Sequence, residues 1–105
     1  MNQKRYQPVR LDLNNPVFQR QLFSLSKSEQ HNTLNTLRKL ADMTWQQQVY
    51  TDHGLKWELI LSQKGPGGSK LYSFRIGKGF RSVAYRHGTW LRLLALHPDH
   101  DATYQ

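Results

Sequence analysis

The sequence predicts an α+β domain: two N-terminal helices packed on an antiparallel β-sheet in the order β-α-α-β-β-β. Three observations carry that prediction. Between Pro16 and about Val49 the apolar residues recur at helical spacing, whereas from Leu55 to Leu96 they alternate in twos. The alternating runs are joined by the short turns Gly77-Lys78-Gly79 and His87-Gly88-Thr89, which suit neighbouring antiparallel strands. A chain of 105 residues holds one hydrophobic core and not two, so residues 1–105 are read as a single domain.

Val9, Leu11 and Leu13 alternate with Arg10 and Asp12 and mark a first strand. Asn15-Pro16 starts a short helix, since Asn caps and Pro at the first helical position gives up no needed N–H. Phe18, Leu22 and Phe23 are expected to face the core from it. Ser26-Lys27-Ser28-Glu29 has the capping-box form and opens a second helix with Leu34, Leu37, Leu40 and Ala41 as its apolar positions. That helix is expected to run to about Val49, ahead of a break at Asp52-His53-Gly54. Strands are expected over Leu55–Leu61, Leu71–Ile76, Phe80–Arg86 and Trp90–Leu96, with a flexible loop over Gln63–Ser69.

Charge is distributed unevenly along this chain. The net +8 divides into +3 over residues 1–58, +7 over 59–98 and −2 over 99–105. Lys64, Lys70, Arg75, Lys78, Arg81, Arg86 and Arg92 all lie between Glu58 and Asp99, with no carboxylate among them. A sheet built from such strands repels itself unless a polyanion covers it, and nucleic acid is the commonest polyanion. No acid close in sequence is available to pair with Arg75 or Arg81. The chain has no cysteine, which excludes disulfides and thiolate metal sites. No run of about 18 apolar residues spans a membrane and no signal peptide opens the sequence, so a soluble, cytoplasmic protein is expected.

Ser73 and Arg75 lie on the side of their strand opposite Tyr72, Phe74 and Ile76, and the aromatic side is the better core candidate. In the next strand Arg81, Val83 and Tyr85 share one face while Phe80, Ser82, Ala84 and Arg86 share the other, and the pattern does not choose between them. If the helices cover one sheet face, Arg75 and Arg81 meet on the other, near His97, His100 and Tyr104. Such a set suits attack by a ribose 2′-OH on its phosphate, which needs proton carriers and cationic donors for the transition state. Histidine carries protons near neutral pH, and the arginine fork clamps phosphate. Metal is not required, and the loose His97-x-x-His100 spacing with Asp99 and Asp101 does not argue for a metal site. Tyr72, Phe74, Tyr85 and Trp90 read as packing before they read as base-stacking platforms, and Trp45 and Trp57 as structural. The Gly65-Pro66-Gly67-Gly68-Ser69-Lys70 loop fails the order of a nucleotide-binding phosphate loop.

The run from Leu71 to Tyr85, with its Tyr-x-hydrophobic-basic strand, turn and Gly-aromatic-Arg strand, resembles the central strands of the RelE/ParE toxin superfamily. The ending His100-Asp101-Ala102-Thr103-Tyr104 is similar to that of some members. Residues 55–104 carry the motif-level resemblance. It implies the toxin of a type II toxin–antitoxin pair: an endoribonuclease that cuts mRNA at the ribosome without a metal or other cofactor, partnered by an antitoxin. By position, Arg75 and Arg81 would stabilise the phosphate, and His97, His100 and Tyr104 would transfer protons or stack on bases. Lys70, Lys78, Arg86 and Arg92 would bind RNA. Ser73 stands where some members have a catalytic lysine. The ParE branch, which shares the fold and acts on gyrase without the nuclease set, is the alternative, as is a catalytically silent RNA-binding module.

Overall fold

The computed structural model describes residues 7–45 and 49–98. Both helices start as expected. The Asn15 side-chain oxygen accepts the Val17 and Phe18 amides at the head of α1 (Pro16–Ser24), and Pro16 has no amide to satisfy. Ser26 and Glu29 form the reciprocal capping box that opens α2 (Lys27–Ala41). Phe18, Leu22 and Leu25 face the core from α1, and Thr33, Leu37 and Leu40 from α2, in each case at i, i+4 and i+7. Phe23 and Leu34, both expected in the core, sit one residue away from a stripe position, about 100° around the helix. They are 73% and 54% exposed. Ala41 is exposed as well.

The second helix ends at Ala41 and does not continue to Val49. Met43 and Trp45 are both buried, and residues two apart cannot share one helical face. The chain instead leaves the helix and pairs with its own start: the Val9 amide donates to the Met43 carbonyl and the Trp45 amide to that of Gln7, each at 3.0 Å.

The strands are β1 (Arg10–Asp12), β2 (Glu58–Lys64), β3 (Lys70–Gly77), β4 (Phe80–His87) and β5 (Trp90–His97). They form one sheet in the order β1-β5-β4-β3-β2. β2 to β5 make the expected antiparallel meander, while β1 adds to β5 in parallel, so the sheet is mixed. The two helices carry the chain from the β1 edge to the β2 edge, the kind of long connection that parallel pairing requires.

β2 begins at Glu58, three residues later than expected. Asp52 caps the Leu55 amide at 2.9 Å, and Lys56 adopts a left-handed backbone with φ 47°, a conformation that breaks a strand. The strand then extends to Lys64, which pairs with Lys70. The expected flexible loop is a hydrogen-bonded turn: the Gly65 amide donates to the Ser69 carbonyl at 2.7 Å around a single 3-10 turn at Pro66–Gly68.

Both helices cover the same sheet face, against Phe74, Phe80, Ala84, Leu91, Leu93 and Leu96. Ser82 is also buried there, and its hydroxyl donates to the Ala95 carbonyl at 2.9 Å. These contacts settle the ambiguous strand: Phe80, Ser82 and Ala84 point inward, and Arg81, Val83 and Tyr85 point to the uncovered face. Trp57 extends the core at one side, stacking on Tyr72 and Phe74 with ring centroids 5.0 and 6.1 Å apart.

Candidate nucleic-acid interface

The face turned away from the helices carries a row of basic side chains. Cross-strand partners share a face, so the registers Arg75↔Arg81 and Arg81↔His97 set these three side chains in one row across β3, β4 and β5. Partners on neighbouring strands lie about 5 Å apart at Cα, close enough for two guanidiniums to repel. The row beside it holds Glu58, Ser73, Val83 and Ala95. Further along the same face lie Tyr85, Arg92 and Asp12.

Local contacts fix the two arginines and leave three of their four outer nitrogens open. Arg81 donates from Nε to the Ser73 hydroxyl at 3.0 Å, and from Nη2 to the same hydroxyl at 2.8 Å and to the Lys56 carbonyl at 2.6 Å. Arg75 donates from Nε to the Gly77 carbonyl at 3.3 Å. Among the described residues, Nη1 of Arg81 and both terminal nitrogens of Arg75 make no hydrogen bond. Two adjacent guanidiniums, Arg75 with both terminal nitrogens open and Arg81 with one, can receive the oxygens of a phosphate. Among the described residues, Lys56, Arg75, Gly77, Gly79 and Arg81 line a cavity of about 290 Å³ at this place, none of them a carboxylate.

One acid does come near. No acid lies close to Arg81 in sequence, but the turn at Lys56 brings the distant Glu58 to 3.7 Å from Arg81 Nη2. The Glu58 side chain is 67% exposed and the contact is long, so the pair stabilises the fold by about 1 kcal/mol at most and leaves Arg81 able to bind a ligand.

The other sequence-predicted residues divide by position. Lys78 is exposed on the Gly77–Gly79 turn beside the cavity, and Lys70 is exposed at the far end of β3. Arg92 shares the open face but lies 3.5 Å from the Asp12 carboxylate. Arg86 is not on this face. It points to the helix side, its guanidinium 4.2 Å over the Trp45 ring and bonded to Tyr50 and Gln7, so it sits apart from the row. His100 and Tyr104 lie outside the described residues. Among the described residues no group of three metal-ligating side chains occurs, and no helix is long and apolar enough to cross a membrane.

Neither known family profiles nor curated proteins match this sequence. Solved structures do. A chain of the archaeal RelE–RelB complex from Pyrococcus horikoshii OT3 superposes with a TM-score of 0.58 at 19% identity, over 89% of this chain and 93% of that one. The chain has the RelE fold. A copper-bound mutant toxin from Helicobacter pylori aligns with a TM-score of 0.49 at 18% identity, over 90% of this chain and 97% of that one.

On this RelE fold the Arg75–Arg81–His97 row lies at one end of the open sheet face, where β3 turns into β4 and β5 ends. Sequence reasoning missed two residues at that place, Lys56 and Glu58. Glu58 had left a trace, since it closes the acid-free stretch on its N-terminal side. Lys56 left none: a left-handed backbone is signalled by Gly or Asn, and neither stands at that position.

Proposed function

We propose that this chain is the toxin of a toxin–antitoxin pair, and that it cleaves mRNA at the ribosome as an endoribonuclease. The observation that carries the reading is the row of Arg75, Arg81 and His97 on the uncovered face of a RelE fold. In the proposed reaction the 2′-oxygen of a ribose attacks its own 3′-phosphorus. The bond from phosphorus to the 5′-oxygen breaks, leaving a 2′,3′-cyclic phosphate and a 5′-hydroxyl. Arg75 and Arg81 hold the non-bridging oxygens as negative charge builds on them. Glu58 and His97 stand on opposite sides of Arg81. Glu58 takes the 2′-hydroxyl proton, and the His97 imidazolium gives one to the departing 5′-oxygen.

An antitoxin would hold the protein inactive by laying acidic side chains over the same cations, as the partnership of RelE with RelB in the archaeal complex suggests. The test is expression in bacteria with mapping of RNA ends. The reading expects growth arrest, new mRNA 5′ ends at codon-defined positions, and loss of both on Arg81→Ala. Arrest with intact mRNA and double-strand DNA breaks would replace it with gyrase inhibition, and no arrest would replace it with a silent RNA-binding module.

A further inference from the structure

Lys56 is the only described residue other than glycine with a positive φ, at 47°. Side chains avoid this region because Cβ crowds the following carbonyl, and when a non-glycine residue is held there something around it determines the conformation. Three features meet at Lys56. Its carbonyl accepts the Arg81 guanidinium at 2.6 Å. The residue lines the 290 Å³ cavity together with Arg75 and Arg81. Its side chain is exposed, and its ammonium has no hydrogen bond or ion pair among the described residues.

The carbonyl contact explains the shape of the backbone but not the lysine. Glycine would hold the same conformation with less strain and present the same oxygen to Arg81. What lysine adds is a mobile, compact cation at the mouth of a cavity that already contains two fixed forks. We infer that Lys56 is a phosphate-binding residue, the third cation of the site, and that its ammonium contacts a non-bridging oxygen of the RNA phosphate seated between Arg75 and Arg81. The inference rests on the reading of the row as a site for RNA. The division of labour follows from the chemistry. Arg75 is tethered through Nε and Arg81 through Nε and Nη2, and they fix the position of the phosphate, while the flexible lysine follows the oxygens as the phosphorus becomes five-coordinate. Arg75 and Arg81 line the cavity with it, and Glu58 lies 3.7 Å from Arg81.

Lys56→Gly separates the two roles, because it keeps the kink and the carbonyl and removes the side chain with its ammonium. The probe is a short RNA with a single 2′-deoxy sugar at the cleavage position, which binds but cannot be cut. The full chain carrying Lys56→Gly should melt at or above the wild-type temperature, yet bind this RNA about tenfold more weakly. The slope of log affinity against log salt should fall by about 0.7, the value for one phosphate contact on a single strand. Lys56→Arg should restore binding, and Lys56→Gln should not. Wild-type binding and slope in Lys56→Gly would overturn the inference, as would binding by Lys56→Gln equal to that of Lys56→Arg. If the wild-type protein binds the probe but cuts no all-ribose RNA either alone or on ribosomes, the nuclease reading falls and the Lys56 contact stands. If the wild-type protein does not bind the probe, both fall.

Discussion

Arg75 and Arg81 face each other directly across the ladder between β3 and β4, two like charges in adjacent positions on the uncovered side of the sheet. Opposed like charges destabilise a strand pair. Arg81 offsets that through Ser73, the Lys56 carbonyl and the long contact to exposed Glu58, and Arg75 through the Gly77 carbonyl; all but Glu58 are neutral acceptors that leave most of the positive field in place. The arrangement lowers stability slightly in the free protein and favours any bound phosphate.

Arg81→Ala is therefore expected to cut RNA cleavage on the order of a hundredfold or more, as removing one preorganised transition-state donor does. Stability should change little, since the partners left behind reach solvent and one repulsion disappears. Cleavage of a labelled RNA together with a thermal melt checks both halves. A lysine at this position should recover only part of the rate, because a point charge cannot span two phosphate oxygens while also holding Ser73.

Arg86→Ala should behave in the opposite way. The guanidinium lies over Trp45, whose indole N–H donates to the Thr89 carbonyl at 2.8 Å, and it bridges to Tyr50 and Gln7. Loss of the cation–π contact alone costs about 1 kcal/mol. In a domain of this size that lowers the melting temperature by about 4 °C or more. RNA affinity should stay at the wild-type value, and a large drop in affinity with an unchanged melt would show that Arg86 reaches nucleic acid after all.

Asp52 gives the fold a dependence on acid. Burial works to raise its carboxyl, but the Lys39 side chain and the Leu55 and Gly54 amides outweigh it and hold the group below its ordinary 3.8. Because the folded value is depressed, the stabilisation is present above 3.8 and is lost as pH falls through the folded value. Asp52→Asn keeps an acceptor for the Leu55 amide and removes the charge. The variant should be less stable than wild type in urea at pH 7, and the gap should narrow steadily as pH falls below 3.8. A gap that stays constant as pH falls would assign the effect to shape and not to charge.

The meander, both helix starts and the position of the cationic row were legible because each rests on a local rule. Pairing of Asn15 with Pro16 and of Ser26 with Glu29 encodes a helix start within a few residues. Gly79 and Gly88, both at positive φ, encode the two turns that set Arg75, Arg81 and His97 in register. What was not legible depends on tertiary contacts. Nothing near Ala41 announces that Met43 and Trp45 will leave the helix to pair with Gln7 and Val9, because the partner lies at the other end of the first half. Which face of β4 is inward depends on a buried serine that satisfies itself against Ala95, a bond invisible in an apolar-polar pattern. Glu58 joins the site only because of the kink two residues before it, which the sequence does not mark.

That kink leads to the sharpest test of the chemistry. The Glu58 carboxylate lies on one side of Arg81 and the His97 imidazole on the other, so the proposed reaction needs both side chains. Glu58→Gln and His97→Gln should each lower the rate of mRNA cleavage on the order of a hundredfold. A role for Glu58 confined to orienting Arg81 would leave Glu58→Gln close to the wild-type rate, since glutamine still offers an oxygen to the guanidinium. A nearly wild-type rate in Glu58→Gln thus removes Glu58 as the base and returns that role to another group at the end of β5.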